Sequence, residues 1–110
     1  QTKVLEAARK HGMSITAYYA MADGKVFEDA VLQDLASKYG KSVAQLVLRW
    51  VIQHDGVIAL SKTVGEKRAL ENFDIFDFEI SANDMQAISA LAQKDGRIVS
   101  PDGLAPEWDD

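Results

Sequence analysis

The spacing of hydrophobic residues along this chain alternates between the period of a helix and the period of a strand. Apolar residues three and four positions apart predict four amphipathic helices: 2–11, 28–39, one that begins at Ser42 and one that begins at Ser81. Strict alternation over 13–20 and a short apolar run over 57–60 predict two strands. Helical composition returns after the second strand and continues to about Asn72, whereas 96–110 has no periodicity and is expected to be a tail.

Residues that favour caps and turns support these boundaries. Ser42, with Gln45 three positions later, has the pattern of a capping box, and Ser81 with Asp84 has a similar pattern. The other expected boundary residues are Thr2 as an N-cap, Gly12 and Gly40 after helices, and Asp23-Gly24 as a turn. The helix after Ser42 has one face that is expected to be buried: Val43, Leu46, Val47, Trp50 and Val51.

The order of the elements predicts an α/β fold. Strands that alternate with helices form parallel sheets through right-handed crossovers. Two strands alone leave long unpaired edges and cannot close a core, so the pattern is that of a piece of a larger α/β body. A self-standing small α/β module is the alternative interpretation.

Composition limits the possible function classes. The chain has 110 residues, 47% of them hydrophobic, which corresponds to about one small domain. It has no cysteine, so disulfides and thiolate metal sites are excluded and an intracellular setting is expected. The net charge of −5 argues against nucleic-acid binding. The longest apolar stretch, 44–52, is interrupted by Gln45 and Arg49 and is too short to cross a membrane.

The stretch 57–72 concentrates the candidate chemistry. It passes from an apolar strand to a helix, and Lys62, Lys67 and Arg68 lie within seven residues at that junction. A helix N-terminus offers free backbone N–H groups and a positive dipole end, which cations and hydroxyl groups would extend into a phosphate site. The alternative is that these cations are ordinary solvated surface residues.

One family carries a similar pattern. Lys62-Thr63-Val64, then Arg68, then Glu71-Asn72, followed by Phe76-Asp77-Phe78 and a helix from Ser81, resembles the cofactor end of the aldo-keto reductases. The resemblance implies that the lysine, the hydroxyl residue and the arginine hold the 2′-phosphate of NADPH, and that the Glu-Asn pair lies against the adenine. Many members have Ile-Pro where this chain has Leu60-Ser61.

The same resemblance implies a (β/α)₈ TIM barrel. Residues 1–110 would be the C-terminal segment of a single barrel domain, with the last two β/α units over 1–95 and the C-terminal tail over 96–110. The stretch 97–109 is especially similar to the end of bacterial 2,5-diketo-gluconate reductases. Trp108, in this tail, is expected to dock onto the barrel.

An aromatic residue after the first strand fits the same family. The family motif Tyr-Ser-Pro-Leu appears here as Tyr18-Tyr19-Ala20-Met21, and the resemblance implies that Tyr18 stacks on the nicotinamide. The alternation leaves open whether Tyr18 or Tyr19 faces the mouth of the barrel. Met21 either lines the path of the pyrophosphate or packs in the interior. The histidines, His11 and His54, have no partner at a metal-site or triad spacing and are expected at the surface, so no metal is predicted.

The resemblance implies an NADPH-dependent reductase of a carbonyl substrate: an aldehyde, a ketone or a keto-sugar acid such as 2,5-diketo-gluconate. The family's catalytic tyrosine, lysine, aspartate and histidine would precede Gln1, so no catalytic residue is assigned to this chain. The expected partner is a small-molecule carbonyl compound, with no nucleic acid and no membrane. The whole barrel is expected to be monomeric and cytoplasmic. The alternative is a non-catalytic nucleotide-binding or regulatory barrel, as in the potassium-channel β subunits.

Overall fold

The computed structural model describes residues 1–93 and 102–104. It contains five α-helices, one 3₁₀ segment and two strands within these residues. In chain order they are α1 (Thr2–Lys10), β1 (Ile15–Ala17), the 3₁₀ segment (Ala22–Glu28), α2 (Ala30–Tyr39), α3 (Val43–Gln53), β2 (Val57–Ala59), α4 (Glu66–Phe73) and α5 (Ala82–Ser89). The prediction for Trp108, and most of the predicted tail over 96–110, lie outside the described residues.

The two strands pair in parallel, as the alternation of strands and helices predicts. Ile15 lies opposite Val57 and Ala17 lies opposite Ala59. The hydrogen bond from the N–H of Leu60 to the carbonyl of Ala17, 2.9 Å long, closes the ladder at one end. The predicted strand over 13–20 is therefore too long, because the backbone is extended as a strand only where β2 offers a partner.

Most of the buried core is helical. Leu32 and Ala36 of α2 pack with Leu46 and Val47 of α3, and Ile80 and Ile88 complete the cluster from the far end of the chain. Leu46 and Ile80 are the largest of the fully buried side chains. Each buried aliphatic side chain of this size contributes roughly 1.5–3 kcal/mol through removal from water. The predicted apolar face of α3 is confirmed at its centre, while Val43 and Trp50 are half-buried.

Local signals explain where the helices begin. Ser42 and Gln45 form the predicted capping box, and the Ser81 hydroxyl accepts a hydrogen bond from the N–H of Asp84. The prediction for Thr2 is wrong, because Thr2 is the first helical residue and Gln1 is the N-cap without a side-chain bond. The predicted start of α2 is also early: the Asp29 side chain accepts from the N–H of Leu32, so the helix begins at Ala30.

The residues before α2 form the 3₁₀ segment, which the hydrophobic pattern does not predict. A turn at Asp23-Gly24 interrupts the segment, as expected, with φ of +56° and +82°. Gly40 ends α2 in the left-handed region at φ +65°, where a residue without a Cβ is favoured. None of the helices that the structure describes has both the length and the apolar character needed to cross a lipid bilayer.

Candidate functional site

The predicted junction between strand and helix is present. β2 ends at Ala59 and α4 begins at Glu66, with Gly65 as an N-cap that has no side chain to bond the first N–H groups. Lys67 and Arg68 are the second and third residues of this helix. The first turn of α4 therefore combines free backbone donors and two cationic side chains with one carboxylate, that of Glu66. The backbone donors and the two cations favour an anion.

A cleft of about 190 Å³ lies where the two strands end. Its lining comes from the residues just after β1 and just after β2: Tyr18, Tyr19, Ala20, Met21, Ala22, Asp23, Leu60, Ser61 and Lys62. Three of the predicted site residues, Tyr18, Met21 and Lys62, thus share one cleft, although they are far apart in sequence. The C-terminal ends of parallel strands are where barrel enzymes build their sites.

The other predicted site residues lie beyond the lining of this cleft. Thr63 and Val64 follow Lys62 directly and are exposed, Val64 to 88%. Arg68 is exposed on the first turn of α4, and Glu71 and Asn72 lie on its last turn. The predicted residues therefore run from the cleft along the loop and the length of α4.

Both tyrosines after β1 line the cleft. The alternating pattern left open which of them faces it, and the structure places both there. Tyr18 is 62% exposed and Tyr19 is 40% exposed, and their ring centroids are 6.0 Å apart. The carboxylate of Asp23 accepts a hydrogen bond from the Tyr19 hydroxyl and raises the pKa of Tyr19. Met21 is half-buried and packs against the helical core as well as lining the cleft, so both roles considered for it are compatible with its position.

The wall of the cleft contains a strained turn. Ala22 and Asp23 have φ of +47° and +56°, in the left-handed region that costs a non-glycine residue roughly 1–2 kcal/mol. The N–H of Ala22 donates to the carbonyl of Tyr19 at 3.1 Å, and the N–H of Gly24 donates to Met21 at 2.8 Å. These bonds hold the turn, whose residues line the cleft.

The cations of the junction are available for a ligand. Lys62, Lys67 and Arg68 are exposed, and no carboxylate among residues 1–93 and 102–104 forms an ion pair with them. The chain as a whole carries a net charge of −5, whereas residues 62–68 contain three cations and one carboxylate. Such a group can bind a dianionic phosphate without first breaking an internal ion pair.

One family model matches the chain over residues 1–93, that of the aldo/keto reductase family. The chain belongs to this family. Glyoxal reductase of Bacillus subtilis (strain 168) is 41% identical over 105 residues, which are 94% of this chain and 37% of that protein. Methylglyoxal reductase DkgB of Escherichia coli O157:H7 is 36% identical over 107 residues, 97% of this chain and 39% of that protein. The chain thus spans about two fifths of the length of these relatives.

Solved structures extend the similarity to the fold. A crystal structure described provisionally as 2,5-diketo-D-gluconic acid reductase B matches 100% of this chain with a TM-score of 0.93 and 55% identity, and the chain covers 39% of it. A variant of Gox0644 in complex with NADPH matches 91% of the chain with a TM-score of 0.85 and 36% identity, over 36% of its own length. These matches confirm the resemblance to the aldo/keto reductases and the prediction of a partial (β/α) TIM barrel.

The sequence analysis does not predict the side chains that hold α4 and the residues after it in this aldo/keto reductase chain. Gln45 is predicted only as half of a capping box, yet its Nε2 also donates to the carbonyl of Glu71 at 2.9 Å. Further along α3, Arg49 donates to the carbonyl of Ile75, and Gln53 bonds both the N–H and the carbonyl of Ile80. The available signal is the spacing of four residues between polar positions on an otherwise apolar helix.

The histidines take no part in the cleft. His11 is exposed, as expected, but the prediction that His54 is a surface residue is wrong. His54 is half-buried because its Nδ1 lies 2.7 Å from the carbonyl of Trp50 and its ring packs edge-on against the Trp50 ring at 4.6 Å. Within the described residues, no three histidine or carboxylate side chains are grouped as metal ligands.

Proposed function

We propose that the chain is the C-terminal segment, residues 1–110, of one aldo/keto reductase barrel that reduces carbonyl compounds with NADPH. In this proposal 1–95 supply the last two β/α units and 96–110 the tail. The observation that carries it is Lys62, which has no ion-pair partner among the described residues and lies in a cleft at the ends of two parallel strands. The cleft precedes a helix whose second and third residues are Lys67 and Arg68. The solved relative in complex with NADPH supports the choice of cofactor.

The described residues fit the parts of this cofactor by their chemistry. Lys62, Thr63 and Arg68 offer two cations and a hydroxyl to the 2′-phosphate, and Val64 and the last-turn pair Glu71 and Asn72 complete the adenosine side. At the other end the exposed ring of Tyr18 offers a flat face to the nicotinamide, and Met21 lines the intervening path. When bound, NADPH supplies a hydride to the substrate carbonyl carbon.

This segment therefore binds and orients the cofactor and does not itself supply the proton. We assign no catalytic residue to these 110 residues, and the proposed proton donor belongs to the preceding part of the barrel. The names of the relatives favour small dicarbonyl compounds or keto-sugar acids as substrates. We further propose that the whole protein is cytoplasmic and acts as a monomer.

The substitution Arg68→Ala in the full-length protein tests the proposal. Loss of a charge-assisted hydrogen bond of about 1.5–3 kcal/mol should weaken NADPH binding roughly tenfold to 150-fold. The affinity for NADH, which has no 2′-phosphate, should not change. Fluorescence titration with both cofactors measures the two dissociation constants, and an equal loss for both would show that Arg68 does not bind the 2′-phosphate.

A second measurement separates the reductase from a nucleotide-binding barrel without turnover. The full-length protein should oxidise NADPH when methylglyoxal, glyoxal or a diketo-gluconate is added. Tight NADPH binding without oxidation of the cofactor by any of these carbonyl compounds would instead favour the regulatory alternative.

A further inference from the structure

Gln45 is the buried polar residue of the core, with 9% of its surface exposed and no other buried polar side chain among the described residues. Its amide group is fully engaged. The Oε1 atom accepts from the N–H of Ser42 at 3.0 Å, while Nε2 donates to the carbonyls of Glu71 at 2.9 Å and Asp74 at 3.4 Å. One side chain thus joins the start of α3 to the end of α4.

Gln45 belongs to a row of four polar residues spaced four positions apart, which we call the polar row: Lys41, Gln45, Arg49 and Gln53. Gln45, Arg49 and Gln53 therefore lie on one side of α3, and Lys41 lies just before the N-cap of that helix. Each member bonds to the backbone of residues 74–80 or to Glu71, including Lys41 Nζ to the carbonyl of Asp74 at 3.2 Å and Gln53 Nε2 to Ile80 at 2.7 Å. Because these acceptors are main-chain atoms, the row helps to fix the backbone of that segment, together with the buried side chains of Ile75 and Ile80.

Helix α4 receives a hydrogen bond from one member of this row, Gln45, while the other three bond the residues that follow it. None of its eight residues is buried, although it packs against α3, and its N-cap has no side-chain bond. The N–H of Asp74 already donates to the carbonyl of Glu71 at 3.1 Å at the end of the helix. Gln45 adds a second donor to the same carbonyl at 2.9 Å, and this one comes from another helix. The hydrogen bond from Gln45 reaches the carbonyl of Glu71, on the turn that also carries Asn72.

We propose that Gln45 is a positioning residue for the adenosine end of the cofactor site. It touches no cofactor atom but holds the last turn of α4 so that Glu71 and Asn72 face the nucleotide. This inference rests on the proposed function, since Glu71 and Asn72 are assigned to the adenine there. It adds a buried side chain of another helix to the residues that determine cofactor affinity.

The test uses the full-length protein with Gln45→Met, which keeps the length of the side chain and removes its hydrogen bonds. Loss of one or two neutral hydrogen bonds should weaken binding of adenosine 2′,5′-bisphosphate about threefold to tenfold. Binding of nicotinamide mononucleotide should not change, because it does not reach α4. In steady-state kinetics the KM for NADPH should rise while kcat at saturating NADPH stays constant.

Gln53→Met is the matched control. It removes an amide of the same row that bonds the same segment, but at Ile80 and not at Glu71. It should lower thermal stability as Gln45→Met does, and leave the affinity for adenosine 2′,5′-bisphosphate unchanged. An equal loss of affinity in both variants would show a general structural effect and overturn the positioning role.

Gln45→Glu tests whether loss of the capping bond to Ser42, and not loss of the bond to Glu71, explains the weaker binding. A glutamate still offers an oxygen to the N–H of Ser42, but its carboxylate faces the carbonyls of Glu71 and Asp74 instead of donating to them. The variant should therefore weaken binding at least as much as Gln45→Met does. If the wild-type protein binds adenosine 2′,5′-bisphosphate and both Gln45 variants bind it equally well, the inference alone is overturned. If the wild-type protein does not bind it, the proposed function fails, and the inference fails with it.

Discussion

Two neighbouring stretches of this chain are held in opposite ways. The junction, residues 60–68, is largely exposed, and its three cations have no ion-pair partner among the described residues. The anchored segment, residues 71–80, contains the buried Ile75 and Ile80 and receives hydrogen bonds from all four members of the polar row. The difference separates a stretch that the fold holds in place, which includes Glu71 and Asn72, from one whose cations have no ion-pair partner among the described residues.

The lysines show the same contrast. Lys38 donates to Asp84 at 2.6 Å, and Lys41 lies 2.8 Å from Asp77, and these carboxylates raise the pKa of both lysines. Lys62 has no such carboxylate within the part of the chain that the structure describes. The charges of Lys38 and Lys41 are thus already used within the fold, whereas the proposed function assigns the charge of Lys62 to a ligand.

The largest expected effect comes from the core side of the comparison. Ile80, in the anchored segment, is 1% exposed, so Ile80→Ala should lower the free energy of unfolding by about 2–5 kcal/mol through lost burial and a cavity. Val64, in the junction, is 88% exposed, and Val64→Ala should change the free energy of unfolding by less than about 0.5 kcal/mol. Urea denaturation of the full-length protein measures both. Similar losses for the two variants would contradict the distinction between the stretches.

The next effect separates binding from stability. Lys62→Ala should weaken NADPH binding roughly tenfold or more, by loss of a charge-assisted hydrogen bond, without lowering the melting temperature. Lys41→Ala should lower the melting temperature, because its ammonium group bonds the carbonyl of Asp74 and the carboxylate of Asp77. Titration with NADPH and thermal denaturation of the two variants check both statements. A lower melting temperature for Lys62→Ala would mean that Lys62 has a structural role.

Local signals in the sequence account for much of this fold. The Ser42–Gln45 and Ser81–Asp84 caps, the turn at Asp23-Gly24 and the helix after the second strand can all be predicted, because each depends on residues within a few positions. The limits of β1 could not be predicted, because a strand extends only as far as its partner allows. The 3₁₀ segment before α2 could not be predicted either, because its residues have no periodic hydrophobic pattern.

The candidate site also has a part that the sequence predicts and a part that depends on tertiary contacts. The cationic group at 62–68 is visible in the sequence, and the resemblance to the aldo/keto reductases predicts its neighbours Tyr18 and Met21, which share the cleft with Lys62. The spacing of polar residues on α3 marks Gln45 but does not identify its partner. Glu71 lies 26 positions away, and only the packing of α4 against α3 brings the two together. Capping patterns reveal one partner of a side chain, and tertiary structure determines the others.

The smallest expected effect concerns a paired carboxylate far from the junction, Asp84. Hydrogen bonds from Lys38 at 2.6 Å and from the Tyr39 hydroxyl at 2.5 Å lower the pKa of Asp84 from 3.8 to about 2. A carboxyl group whose pKa is lower in the folded state binds protons more readily when unfolded, so its contribution to stability is complete above pH 3.8 and disappears as the pH falls to about 2.

Asp84→Asn should therefore lower the melting temperature near neutral pH, and the difference from the wild-type protein should shrink between about pH 4 and pH 2. Thermal denaturation across this range measures the difference. Asp34→Asn, at an exposed carboxylate of α2 that forms no ion pair with the described residues, controls for the loss of one negative charge. A difference for Asp84→Asn that persists unchanged at pH 2 would mean that geometry, and not the charge on Asp84, joins α2 to α5. The contrast between paired and unpaired charges would then hold for the lysines alone.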